Sequence, residues 1–322
     1  MSLFKKFFKG IVHHRDPDTG DTVKEKPKPK YYGTIIPYPN FNASSDASVL
    51  QSAIESKGVD EDVIIAVLVK RSNEQRQKIK AVYEASSGKN LDKALKSALR
   101  SHLEDVTLAL LMPPAQFDAY LLRKATKGVG TDEDVLVEIL ATRSYGELQE
   151  IKRAFKQEYK KDLEEVIKGE TNGDFTKALL AMLNTKRDES TEVDMELAKK
   201  DAKVKVMKTN SESLKLLPPH PTKKKTKKKK LNFMLVFVTF RMHVKCAWNT
   251  PAFFAEKLHR AMKGQGTCEE TLIRILVSRS EVDLQKIVEQ YRAMFEKTIH
   301  EDIVNDTSGH FQKVLLGLCG PN

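Results

Sequence analysis

The chain has 322 residues, 40 % of them hydrophobic and 31 % charged, enough for one large domain or two ordinary ones with a sizeable core. No apolar run reaches the roughly 18 residues of a membrane-crossing helix, MSLFKKFFKG lacks the apolar stretch of a secretory signal, and three cysteines are too few for a disulfide framework. The net charge of +11 is concentrated in Lys203–Lys245, where thirteen Lys or Arg face the single acid Glu212, so the remainder is close to neutral and no folded basic face for nucleic acid is expected. The expectation is a cytosolic, largely helical protein.

The first predicted element is an amphipathic helix in MSLFKKFFKGIVHH. Leu3, Phe4, Phe7, Phe8, Ile11 and Val12 form an apolar stripe at helical spacing, with Lys5, Lys6 and Lys9 between them. Such a stripe lies in a membrane surface, docks in a partner's apolar groove or folds back onto the core. Asp16–Pro39, with KPKPK, reads as a polar tether. Asp16-Pro17-Asp18-Thr19-Gly20 opens like an EF-hand loop, but its twelfth position is Pro27 rather than Glu. His13-His14 has no third metal ligand nearby.

Three related segments follow. In the second, TKGVGT (Thr126–Thr131) is followed by Arg143-Ser144, fifteen residues after Gly128, and by Glu170, forty-two residues after it. In the last, MKGQGT (Met262–Thr267) is followed by Arg279-Ser280 and Asp306 at the same two spacings from Gly264. Their tails DFTKALLAML and HFQKVLLGLC also match. The first segment runs from Ser56 to Tyr83 with its tail at His102–Leu111. Counted from Gly58, its Arg71-Ser72 comes after only thirteen residues, which reads as a loop two residues short. The place of the late acid falls on Ala98.

Val135, Ile139 and Leu140, and Leu272, Ile275 and Leu276, share helical faces. Thr131 and Thr267 stand where N-caps are expected, with acids in the next turn. Each unit is expected to hold four or five short helices and almost no strand.

Between the second and last segments, Lys203–His243 shows no such loop, no Arg-Ser and no helical period. Its KKKTKKKK run suits acidic lipid, and it also has the composition of a nuclear localisation patch. An aberrant splice product or gene-model error is the preferred reading of this insert.

A glycine-spaced loop entering a helix can present N–H groups to a phosphate or carbonyl oxygens to a hard cation. A carboxylate brought alongside would repel phosphate but would complete an oxygen cage for Ca2+, which takes six to eight oxygens in irregular geometry. Neither loop completes a phosphate-loop or dinucleotide motif. No Ser/His/Asp or Cys/His arrangement marks an active site, so a non-enzymatic protein is expected.

The KGxGT loop, the Arg-Ser and the acid about forty residues on, repeated through helical units of roughly 70 residues, resemble the annexins. The likeness covers Ser45–Lys200 and Val244–Asn322. It implies an all-α array of annexin repeats in a curved disc. The regulatory tail would be 1–44, the repeats 45–115, 116–200 and 244–322, and the insert 201–243 would stand in place of a third repeat. It implies Ca2+ held by the carbonyls of Thr126, Gly128 and Gly130 with Glu170, and of Met262, Gly264 and Gly266 with Asp306. Lesser sites of the first repeat would use Gly58, Val59 and Glu61, and Lys96, Leu99 and Glu104. Lys127 and Lys263 would face an anionic leaflet.

The expected activity is calcium-dependent, peripheral binding to acidic phospholipid membranes by a protein monomeric off the membrane. Phospholipase A2 inhibition would follow from covering the lipid. The resemblance further implies a small EF-hand dimer as the partner of Leu3, Phe4, Phe7, Phe8 and Ile11. A calcium-independent polybasic membrane or nucleic-acid adaptor is the alternative.

Overall fold

The computed structural model describes residues 31–128, 130–186, 245–246, 248–264 and 266–321. The chain divides into two compact parts, Met1–Tyr31 and Tyr32–Asn322, and the three helical units described below all lie within the second part. The expected N-terminal helix, the acidic-lipid or nuclear lysine run and the Lys203–His243 insert lie outside the described residues.

Among the described residues there are fifteen α-helices and no strand. The first five are α1 (Ala43–Glu55), α2 (Glu61–Leu68), α3 (Asn73–Ser87), α4 (Leu91–Ala98) and α5 (Ser101–Leu111). The second unit repeats them as α6 (Pro114–Ala125), α7 (Glu133–Thr142), α8 (Tyr145–Tyr159), α9 (Leu163–Glu170) and α10 (Gly173–Asn184). The last repeats them as α11 (Thr250–Ala261), α12 (Glu269–Arg279), α13 (Leu284–Phe295), α14 (Ile299–Asp306) and α15 (Gly309–Cys319).

In each unit the first and third helices pack side by side, α1 on α3, α6 on α8 and α11 on α13. The apolar stripes read in the sequence line the core: Val135, Ile139 and Leu140 in one unit and Leu272, Ile275 and Leu276 in another are buried. Local caps set the helix starts. Ser72 with Gln75 and Ser144 with Glu147 form reciprocal capping boxes at α3 and α8.

The Arg of each Arg-Ser pair is structural. Arg71 grips Asp46 through two hydrogen bonds of 2.6 and 2.9 Å, and Arg143 grips Asp118 at 2.7 and 2.8 Å, each pair twenty-five residues apart. In the last unit the acid's place is taken by Phe254. Arg279 lies 4.9 Å over that ring and turns its Nε to Asp283 at 2.7 Å. Burial works against the Arg143 charge, but the Asp118 carboxylate outweighs it and raises the guanidinium pKa.

Part of the expected tether is fastened down. The backbone N–H groups of Thr34 and Ile35 donate to Ser280 O, and Tyr38 exchanges two bonds with Gln75. Tyr32–Tyr38 therefore straps the last unit to the first, which corrects a free tether running to Pro39.

The third helix of each unit ends on a left-handed residue: Gly88 (φ 67°), Lys160 (φ 54°) and Glu296 (φ 58°). Only the first is the residue that takes this conformation without strain. Lys160→Gly is expected to raise the unfolding free energy by about 0.5–1 kcal/mol, read as a higher denaturation midpoint by circular dichroism. An unchanged midpoint would mean the lysine is unstrained there.

Candidate functional site: two glycine loops beside a carboxylate

The two KGxGT loops share one backbone. Gly128 and Gly130 have φ of 118° and 92°, Gly264 and Gly266 have 119° and 93°. A Cβ at any of the four would meet nothing within 4 Å, so these glycines serve the dihedral and not a tight space. The turn is closed by Asp132 N–H to Ala125 O at 2.9 Å in one unit and by Cys268 N–H to Ala261 O at 2.8 Å in the other.

Thr126 and Met262 are buried at the helix ends, while the loop glycines, Lys127 and Lys263 are exposed. Among the described residues no donor reaches the carbonyls of Thr126, Gly128, Gly130, Met262, Gly264 or Gly266, and no acid pairs with Lys127 or Lys263.

Thr131 and Thr267 are not N-caps. The cap of α7 is Asp132, whose side chain accepts from Val135 N–H, and α12 begins after Cys268 with no side-chain cap. The threonines reach across instead. Thr131 Oγ1 donates to Glu170 O at 3.1 Å; Thr267 Oγ1 lies 2.8 Å from Asp306 O and 2.6 Å from Asp306 Oδ2. Each late acid, at the C-terminal end of α9 or α14, is thereby tied to its loop.

The first unit departs from this pattern. Asp60 N–H bonds Ala53 O at 2.9 Å, the same seven-residue closure. Gly58, at φ 89°, therefore matches Gly130 and Gly266, and the first glycine's place is held by Ser56 at φ −63°. The loop is not two residues short, because Gly58 stands at the second glycine of the pattern and not at the first. In this register Ala98 matches Glu170 and Asp306, and Val59 matches the two threonines.

Carbonyls proposed for the lesser sites already have donors. Val59 O accepts from Glu61 N–H at 3.0 Å, and Leu99 O from Arg100 Nη1 at 2.7 Å. The Glu61 carboxylate is bonded to His310, Lys96 is exposed in the last turn of α4, and Glu104 sits in the first turn of α5. Among the described residues no three His, Cys, Asp or Glu side chains gather as a metal cage. Any cation at the loops would rest mainly on carbonyl oxygens.

The annexin family model matches residues 45–110, 117–182 and 253–318. The chain is an annexin. The three matches cover the three helical units, and residues 183–252 lie outside them. Annexin A1 of Cavia cutleri is 43 % identical over 345 aligned residues, covering 99 % of each chain. Annexin III superimposes with a TM-score of 0.77 at 40 % identity over 90 % of this chain and 97 % of its own. Calcium-bound annexin (Sm)1 does so with 0.73 at 28 % identity, over 90 % and 94 %.

The annexin repeats meet through equivalent positions. With offsets of 72 and 136 residues between units, His102 matches His310 and Glu61 matches Glu269. His102 Nε2 lies 3.6 Å from Glu269, while His310 bonds Glu61. These reciprocal pairs line a cleft of about 370 Å3 that also takes in Thr267 and Asp306. Glu138 matches Arg274, and the two meet through bonds of 2.9 and 3.1 Å, with Lys257 adding a third at 2.5 Å. Reading the sequence missed these cross-repeat pairs. Opposite charges at the same register of two repeats were the available signal.

Proposed function

We propose that this annexin binds acidic phospholipid membranes peripherally and in a calcium-dependent way, through the loops at Thr126–Thr131 and Met262–Thr267. The support is two loops of one backbone, each with three carbonyls lacking a described donor and each tied by its threonine hydroxyl to the backbone oxygen of an acidic residue, Glu170 or Asp306. Hard oxygen donors in irregular array suit Ca2+. When bound, Ca2+ supplies a divalent charge with open positions for a phosphate oxygen. Thr126, Gly128, Gly130 and Glu170 would hold one ion, and Met262, Gly264, Gly266 and Asp306 the other. Lys127 and Lys263 add attraction to an anionic leaflet, worth about 1 kcal/mol each near the surface.

The lesser sites around Gly58, Val59 and Glu61, and around Lys96, Leu99 and Glu104, are proposed as weaker, because their acids or carbonyls first have to leave existing partners. The protein is read as a binding protein with no active site, monomeric off the membrane and placed at the cytosolic leaflet. Inhibition of phospholipase A2 follows from covering its substrate. The unit boundaries 1–44, 45–115, 116–200, 201–243 and 244–322 belong to the same proposal.

The test is co-sedimentation with phosphatidylserine vesicles, in calcium and then in chelator, at two salt concentrations. Release by chelator with tolerance of salt is expected. Release by salt with indifference to calcium would assign binding to the Lys223–Lys230 run instead.

The apolar stripe of Leu3, Phe4, Phe7, Phe8 and Ile11 is proposed to dock in the groove of a small EF-hand dimer. Deleting Met1–His14 is expected to leave vesicle binding intact and to remove binding to such a dimer. Loss of vesicle binding would make the helix a membrane anchor.

A further inference from the structure

We infer that Thr267 is a positioning residue for calcium, which rests on the reading of its loop as a calcium site. Its hydroxyl holds the Asp306 carboxylate against the Met262–Gly266 loop before any ion arrives. The site of the last repeat is therefore built to bind calcium more tightly than that of the second.

The two sites differ in one contact. Thr267 Oγ1 lies 2.6 Å from Asp306 Oδ2 as well as 2.8 Å from the backbone oxygen of the same residue. Thr131 Oγ1 reaches only the backbone oxygen of Glu170, at 3.1 Å. The acid explains the difference. Aspartate keeps its carboxylate next to its own backbone, so one hydroxyl spans both oxygens. The extra methylene of Glu170 carries its carboxylate away, and Glu170 is exposed where Asp306 is half-buried.

A carboxylate has about four lone-pair sites, so Asp306 can keep the threonine bond while both oxygens face a cation. Fixing a ligand beforehand lowers the ordering cost of binding, and partners that orient a metal ligand are commonly worth 10- to 100-fold in affinity. The first repeat shows the same association in reverse. Where the acid has become Ala98, the threonine has become Val59.

The experiment uses the full chain carrying Glu170→Ala, so that the last loop dominates. The readout is the calcium concentration giving half-maximal sedimentation with phosphatidylserine vesicles, with thermal unfolding in chelator measured in parallel. Thr267→Val, nearly equal in shape, is expected to raise that concentration about tenfold with no change in chelator unfolding. Thr267→Ser should restore it to within about twofold. In the complementary Asp306→Ala background, Thr131→Val should shift it by less than about threefold.

A Thr267→Val shift under twofold, while Asp306→Ala removes binding, would overturn the positioning role and leave the site standing. Failure of Asp306→Ala to weaken binding would instead overturn the calcium site itself. A Thr267→Ser variant as weak as Thr267→Val also counts against the proposal, because the loss would then follow shape and not the hydroxyl.

Discussion

Glu138→Ala should destabilise the protein by about 3–5 kcal/mol, seen as a lower midpoint in denaturant unfolding followed by circular dichroism. Glu138 is fully buried on α7. It accepts from Arg274 of α12 and from Lys257 of α11, whose side chains are only 7 % and 10 % exposed. Truncating the carboxylate leaves two buried cations without it, and an unpaired buried charge costs far more than the intact pair contributes. Against a typical total of roughly 5–15 kcal/mol, that loss is large. Because the three groups join the second repeat to the last, calcium binding at both loops should weaken as well. A midpoint unchanged within error would show that water replaces the carboxylate at no cost.

The same triad sets a pH dependence. Burial pushes the Glu138 pKa up, but Arg274 and then Lys257 outweigh it and hold the carboxyl at about 2, below its ordinary 4.5. A carboxyl with a depressed native pKa contributes stability that is fully present above its unfolded pKa and is lost as pH falls toward the native one. The stability difference between the natural chain and Glu138→Gln should therefore be constant near neutrality and shrink between pH 4.5 and about 2. A gap that widens on acidification would contradict the assignment.

Removing both late acids, Glu170→Ala with Asp306→Ala, should abolish most calcium-dependent vesicle binding. The calcium requirement should rise on the order of 100-fold, the scale on which charged-ligand count tunes such sites. Each mutation removes the carboxylate of the residue whose backbone oxygen is tied to its loop and leaves carbonyls alone to oppose a divalent charge. The two loops act on one surface, so their contributions multiply, and each single variant should retain a weaker, still chelator-sensitive binding. Neither acid is buried, so unfolding in chelator should match the natural chain. An unchanged calcium requirement in the double variant would remove the site assignment.

The sequence by itself determined the helical class, the equivalence of the second and last units, and the pairing of each loop with an acid forty-two residues after its first glycine. These were legible because helical periodicity, glycine spacing and repeat register are written locally in the chain. The first loop was misread for a local reason too. Two candidate glycines fit its single Gly58, and only the seven-residue backbone closure from Ala53 to Asp60 chose between them.

What only the tertiary structure decided involves partners far apart in sequence. Asp46 and Asp118 look like ordinary helix-surface acids until packing buries them against Arg71 and Arg143. Glu138 and Arg274 are 136 residues apart and meet because two repeats face each other through the same helix. The threonines read as helix caps from their neighbours alone. Their reach to Glu170 and Asp306 exists only once the last three helices of each repeat fold back beside the loop. Local spacing carries no information about which faces pack together, so these contacts, and the difference between the two glycine loops, come from the fold.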